Sequence, residues 1–337
     1  MAQYTGLVSS WDLPQLVGEL YTADIVPGAE EVNPTFLTLI GGLNGANARQ
    51  VPDMNFTMTV EFDYPAAGQP AISEATSVTT LPQPVNPLLT PTDNTCQIYM
   101  EAVEETYMSR STRGRLVTDQ IYPLGDDKSE GWLSELSPAN DFSAIAKQIT
   151  YALQRIARNV NYTFLNGVYN KSTSKNDPAK TRGLLTAIDT NAIDAQGAAL
   201  SDDLIGQLME EMVTNSGGRA FQSIPVLIMN AKQKRALSQI YVFPPESRTV
   251  AGYNLRQLET DFGPVSVLYE PTIPSDTILF ASMSLIKPVF NPVPGKGLLF
   301  YEDKQKVGAS EGGMIYGHIG LDYGPEWMHG KITGLAV

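Results

Sequence analysis

From Phe142 to Phe164 the apolar residues Phe142, Ile145, Ile149, Ala152, Ile156, Val160 and Phe164 recur at spacings of three or four, the pattern of a helix with one covered face. Ser137 and Pro138 supply an N-cap and a first-turn proline, and Asn166-Gly167 supplies a stop. The spacing therefore predicts a helix over residues 138–166, about twenty-eight residues and about 40 Å, against a usual mean of about 11 to 12 residues. About four heptads followed by Gly167 and a polar turn fit a helix laid across a sheet better than a coiled coil. Lys147, Gln148, Gln154, Arg155, Arg158 and Asn159 occupy the other face, which meets water or another subunit.

Ahead of that helix runs a lysine-free arm. Phe56, Met58, Val60, Phe62 and Tyr64 alternate with Thr57, Thr59, Glu61 and Asp63, and Cys96, Ile98, Met100 and Ala102 alternate with Gln97, Tyr99 and Glu101. Period-2 alternation predicts two strands of similar length that pair antiparallel. Between them Pro65, Pro70, Pro82, Pro84, Pro87 and Pro91 favour extended backbone over compact helix or sheet. Connections of this length inside a domain are uncommon. Ile72, Val78, Leu81, Val85, Leu88 and Leu89 dot this one, so the expectation is a projecting hairpin ordered against something outside its own domain.

Composition narrows the function. Residues 1–127 hold four arginines, no lysine and sixteen acids, a net −12, so the remaining chain carries only −1 of the total −13. An acidic chain repels phosphate, which excludes tight or sequence-specific nucleic-acid binding. Arg110, Arg113 and Arg115 interrupt the acidic region as a solvated or subunit-contacting cluster. The one cysteine, Cys96, reads as a small buried hydrophobe. Neither a basic-then-apolar leader nor an apolar run of about eighteen residues is present, so the expectation is a chain made in a cytoplasm and not spanning a membrane. The sequons at Asn55, Asn161 and Asn170 are read as chance matches.

Along the rest of the chain, Trp11, Leu13 and Leu16 suggest a short helix in an irregular N-terminal arm. Ser201 caps a helix whose apolar side is Leu204, Ile205, Leu208, Met209 and Met212, residues 225–229 read as a buried strand, residues 231–240 as a helix, and residues 265–269 and 277–280 as strands. The fold class is α+β without regular βαβ repetition. Motifs for chemistry do not assemble: His318 and His329 have no zinc spacing and no third ligand type. Gly125-Asp126-Asp127 has surface-turn composition, Gly41, Gly42 and Gly45 do not complete a dinucleotide fingerprint, and Pro294-Gly295-Lys296-Gly297 is a fragment of a phosphate loop. No catalytic, cofactor-binding or metal residue is assigned. A hydrolase using two of the 36 acids is the alternative from a different class.

A projecting hairpin, a wandering arm and a long helix with an open face put apolar surface where one domain cannot cover it, which implies an obligate assembly with large interfaces. The order of parts resembles the tailed-phage major capsid proteins of the Hong Kong 97-like fold, and more narrowly the SU10-type major capsid proteins. The resemblance runs from Asn33 to Val337 through NPTFLTLIGG after the arm, DFSAIAKQITYALQRIARNVNYTFLNG as the spine helix, RGLLTAI and PVLIMNAKQKRALSQI in the axial domain, and YGHIGLDYGPEWMHGKITGL as the closing strands.

That resemblance implies an N-terminal arm at residues 1–50, an extended β-hairpin loop at 51–106, a peripheral domain at 107–188 with its spine helix at 138–166, an axial domain at 189–312, and closing peripheral strands at 313–337. It also implies a structural role in the virion: hexamers and pentamers forming an icosahedral shell around double-stranded DNA, with portal, scaffolding and decoration proteins as partners and no enzymatic activity. Candidate subunit-contact residues are Phe56, Met58, Val60, Phe62, Ile98, Met100, Arg110, Arg113, Arg115, Arg155 and Arg158. An encapsulin-like nanocompartment is the alternative within the same fold. The first lysine is Lys128, which argues against the lysine cross-link that some relatives form from the extended loop. Only about fifty residues precede the hairpin, so the scaffold is expected to be a separate protein or absent.

Overall fold

The computed structural model describes residues 35–43, 48–58, 62–63, 68–69, 71–79, 81, 88–89, 91–108, 145–241, 257–305 and 308–337. The expected helix near Trp11, the turn at Gly125, the arginines 110, 113 and 115, and residues 138–144 of the long helix lie outside them.

In chain order the strands are β1 (Arg49–Gln50), β2 (Asn55–Thr57), β3 (Phe62–Asp63), β4 (Leu88–Leu89), β5 (Asp93–Thr95), β6 (Gln97–Thr106), β7 (Ala192–Asp194), β8 (Pro225–Met229), β9 (Gln257–Thr260), β10 (Gly263–Tyr269), β11 (Ile278–Ser282), β12 (Lys287–Phe290), β13 (Leu299–Asp303), β14 (Ser310–Asp322) and β15 (Gly330–Thr333). The α-helices are α1 (Thr35–Leu39), α2 (Glu74–Thr79), α3 (Ile145–Asn166), α4 (Leu184–Ala187), α5 (Asp202–Ser216), α6 (Arg219–Gln222) and α7 (Ala231–Tyr241). The described residues fall into two units, one drawn from residues up to Met54, 96–164 and 288–320, the other from 55–95, 165–287 and 321–337.

The first unit is a five-stranded sheet with α3 on one face. Its order is β1-β12-β14-β13, with β6 along the other edge of β14. The register of β6 with β14 runs from Gln97 opposite Ile319 to Thr106 opposite Ser310. This sheet is close-built at its glycines: a Cβ on Gly312 would collide with the Val103 carbonyl oxygen. The apolar stripe read from the sequence is the covered face of α3, with Ala152, Ile156, Val160 and Phe164 all buried. At about 1.5 Å per residue its 22 residues make a rod of about 33 Å. Asn161 shares that buried face, and its side-chain oxygen accepts the Leu37 N–H at 2.9 Å. Leu37 is in the first turn of α1, where backbone donors have no helical partner, so the spine caps the short helix that precedes the hairpin.

The hairpin departs from expectation in its return strand. β2 pairs with β5 (Phe56 opposite Asn94) and β3 with β4 (Phe62 opposite Leu89), both antiparallel. The chain then breaks step at Cys96, and residues 97–106 join β14 instead of residues 56–64. The face is inverted as well. Tyr99 and Val103 are buried, whereas Ile98 and Met100 are 51% and 61% exposed. Both faces of this strand carry apolar residues, so alternation over residues 96–102 left its orientation open, and a one-residue slip exchanges the two faces. Within the proline-rich stretch, α2 forms where residues 71–79 are free of proline; Glu74 stands in its first turn, where a carboxylate favours the helix dipole.

The second unit is a six-stranded sheet of order β7-β15-β11-β8-β10-β9. β8 is buried at all five positions, as its unbroken apolar run requires. Ser201 caps α5 by accepting the Leu204 N–H, and Gly217 ends it in the left-handed conformation, φ 60°. The helix lies directly on β15: a Cβ on Gly330 would meet Met212 Sδ at 2.8 Å and Leu208 Cδ1 at 2.9 Å. The tail divides between the sheets, β14 in the first and β15 in the second, and β12 and β13 belong to the five-stranded sheet. Sheet membership thus interleaves along the chain where the sequence reading drew one boundary at residue 312.

His329 sits fully buried in this second core. Its Nδ1 accepts the Ser282 N–H at 3.1 Å and its Nε2 lies 2.7 Å from the Tyr323 carbonyl. A carbonyl can only accept, so Nε2 carries the proton and the ring is neutral. Burial holds its pKa down at about 4, opposed by the Tyr323 carbonyl and by the Glu326 carboxylate.

Two outcomes follow for the unassembled subunit in chemical denaturation. Ile156→Ala removes a buried branched side chain and should cost about 2 to 5 kcal/mol, whereas Arg155→Ala on the solvent face should cost under about 1 kcal/mol. Equal losses would refute the assignment of the two faces. His329 is neutral when folded and titrates near 6.5 when unfolded; its contribution is complete above about pH 6.5 and erodes as the pH falls toward 4, by up to about 3 kcal/mol. Stability measured from pH 7.5 to 4 should show that loss reduced in His329→Gln, and an unchanged pH dependence would refute it.

Candidate assembly surface

Strand β6 and helix α3 run side by side in the first unit and leave a groove of about 340 Å³ between them, lined by residues 97–101 together with Ile156, Asn159, Tyr162 and Thr163. Its wall is apolar and wet at once. Met100 and Tyr162 are more than half exposed, and burying such side chains is worth about 1.5 to 3 kcal/mol each. The buried Tyr99 hydroxyl has no hydrogen-bond partner among the described residues; the Thr163 hydroxyl in the same groove donates to the Asn159 carbonyl at 2.8 Å. Burial pushes the Tyr99 phenol up. Across the rim, Arg155 donates to Glu101 at 3.2 Å. Among the described strands, β6 has β14 as its one partner.

At the root of the hairpin the return leg is tied into the second unit. Asn94, fully buried, donates to the Leu321 carbonyl at 2.8 Å and accepts the N–H of Arg182 and of Thr95, each at 2.9 Å. The Thr181 hydroxyl donates to the Thr95 carbonyl at 2.8 Å. The strands above the root are short, so the ladder has little strength of its own.

The candidate contact residues divide accordingly. Ile98 and Met100 present exposed side chains on β6, and Arg155 stands exposed on α3 with Arg158 half-buried. Phe56 and Met58 are already covered within the chain. Phe62 takes part through its backbone pairing with Leu89. Val60, Arg110, Arg113 and Arg115 lie outside the described residues. Sequence reasoning missed Asn94, Asn161 and the His329 network, because a buried amide or imidazole declares itself only through the distant groups it bonds.

The groups that first suggested chemistry have structural roles. His318 lies edge-on to Tyr316, ring centroids 5.0 Å apart, with Nε2 2.7 Å from the Tyr316 hydroxyl and Nδ1 3.2 Å from Asn291 Oδ1. Lys296 bonds Glu302 at 2.7 Å within a tight turn closed by a bridge from Val293 to Gly297. Asn161, the acceptor position of its sequon, is buried. Burial raises the Cys96 thiol to about 12, so its nucleophilic thiolate is suppressed. Among the described residues no group of three His, Cys, Asp or Glu is placed to hold a metal ion, and no helix is long and apolar enough to cross a membrane.

The two-unit α+β architecture is shared with known shells. The capsid of cyanophage A-1(L) is similar over 98% of this chain and 100% of its own, at 8% identity and a TM-score of 0.59. The capsid of the native GTA particle is similar over 94% and 95%, at 14% identity and 0.57. The holo-SrpI encapsulin of Synechococcus elongatus PCC 7942 is similar over 97% and 96%, at 10% identity and 0.52. At such identities the likeness establishes the fold, which is Hong Kong 97-like, and not the contents of the shell. A search of curated protein sequences finds no match. The family profile described as SU10 major capsid protein matches residues 8–336, so the chain belongs to the SU10 major capsid protein family.

Proposed function

We propose that this chain is the head subunit of a tailed phage, made in the host cytoplasm and assembled into hexamers and pentamers that close an icosahedral shell around double-stranded DNA. The family match over residues 8–336 carries the reading. The open apolar wall of the β6–α3 groove and a ladder too short to stand alone are what copies in an assembly would cover. The role is structural, with no catalytic residue assigned. The hairpin acts as a clasp between subunits, and a portal and separate scaffolding and decoration proteins complete the head. The acidic N-terminal third, net −12 over residues 1–127, leaves the shell without a grip on phosphate that would slow packaging and ejection.

Light scattering with negative-stain imaging of the purified chain tests this. Closed shells of megadalton mass are expected, and a folded monomer that never assembles, even with a candidate scaffold added, would overturn the reading. DNA inside particles taken from infected cells separates the phage head from an encapsulin-like compartment, which would hold protein. Removing residues 65–91 should leave a folded subunit that forms no shell, and regular shells from that deletion would show that the hairpin is not the clasp. Cohesion should be non-covalent in the arm, because its first 127 residues lack lysine. Assembled shells boiled in detergent should therefore run as one band near 36.6 kDa, and a ladder of multiples would disprove it.

A further inference from the structure

We infer that helices α5 and α7 are the two halves of a head-to-tail contact, the acidic face of α5 on one copy against the basic face of α7 on the next; this rests on the shell reading above. Helix α5 carries Asp202, Asp203, Glu210 and Glu211 and no base, and α7 carries Lys232, Lys234 and Arg235 and no acid. Every one of these side chains is exposed or half-buried. Asp202 is engaged by the Tyr241 hydroxyl. The other six enter no ion pair among the described residues, where the pairs that form are Arg155–Glu101, Lys296–Glu302 and Lys304–Glu104.

The three cations stand in the wrong place for their own helix. They fall within the first five residues of α7, where the positive end of the helix dipole disfavours them, and no acid in the first turn offsets them. Asn230, just ahead of α7, donates its side-chain amide to the Pro271 and Ile273 carbonyls. A basic N-terminus costs the isolated subunit stability and is compensated by carboxylates from outside the chain.

Topology puts the two patches where a ring would use them. β7 and β8 are parallel through the intervening strands, and β8 and β10 are paired parallel. The sheet order advances in one direction from β7 through β8 to β10. Right-handed crossovers then lay α5 and α7 on the same face of the sheet, and the Tyr241–Asp202 bond joins them there. α5 lies toward β7 and β15. The layer therefore carries an acidic helix and a basic helix side by side. A head-to-tail contact sets the acidic helix of one copy on the basic helix of the next and can close as a ring.

The test reverses one side at a time in the full chain and scores shells by imaging. Lys232→Glu with Lys234→Glu and Arg235→Glu should lower shell yield at least about tenfold while raising the melting temperature of the subunit, since the acids now suit the helix dipole. Asp203→Lys with Glu210→Lys and Glu211→Lys should lower yield similarly. The two reversals combined in one chain should restore shells. Mixing the two singly reversed proteins should restore rings of even number, because alternating copies again oppose unlike charges. Shells from either reversal alone at wild-type yield would overturn the contact, as would folded subunits that neither the combination nor the mixture rescues. Shells that form normally from the α7 reversal but hold less DNA would overturn it too, assigning the cations to the genome. If the unaltered chain forms no shell, the earlier reading fails; shells from the unaltered chain with any of the overturning results defeat only this contact.

Discussion

The burial of one face of α3 against the five-stranded sheet is the interaction on which the first unit depends. Ala152, Ile156, Val160 and Phe164 are each at or below 1% exposure, and at about 1.5 to 3 kcal/mol for each large apolar side chain this face outweighs any ion pair on the helix. Side chains three and four apart cover one stripe only, so the opposite face is left to polar residues such as Gln154, Arg155 and Asn159. The buried amide of Asn161 adds direction to this packing. An apolar residue there would fill space equally well but would leave the Leu37 N–H of α1 without its acceptor, at the usual cost of a buried unsatisfied donor, about 1 to 3 kcal/mol. The spine thereby holds α1 within the first unit.

The hairpin follows a different logic. Its two described ladders hold three and two residue pairs, and a two-stranded ribbon of that size is marginal in water. What is strong is its root, where Asn94 satisfies three backbone partners. A device with a firm root and a weak shaft keeps its direction while leaving its conformation to whatever it meets.

How far the sequence disclosed this depends on the kind of signal each part carries. Helical periodicity marked the four residues that cover α3 and its end at Asn166, because a long run averages out local exceptions. The Ser201 cap of α5 was equally local, and so was the buried run of β8. β6 was misread because Ile98 and Met100 alternate with Tyr99 and Val103, so both phases are apolar, and the choice was made by β14 more than two hundred residues away. The interleaving of the two sheets was hidden for the same reason: strand partners are non-local, and β15 enters the six-stranded sheet beside β7 after β14 has served the other. Ile98 and Met100 were chosen as candidate subunit contacts, and the structure leaves both side chains exposed. Nothing in local spacing distinguishes an apolar side chain waiting for its own core from one waiting for a neighbour.

In the contact proposed between α5 and α7, charge supplies the selectivity. Copies carrying −13 each repel at distances within a Debye length of about 8 Å at physiological salt, so apolar patches alone would have to overcome that repulsion in every orientation. Orientations that bring the cations of α7 onto the acids of α5 relieve it, while face-to-face pairings of either helix add to it. Each exposed pair is worth under about 1 kcal/mol, small enough for a misplaced subunit to leave. Summed over the repeated contacts of a ring the same pairs bias the closed arrangement, so weak rim charges set the order in which copies join and the apolar groove supplies the energy once they are in register.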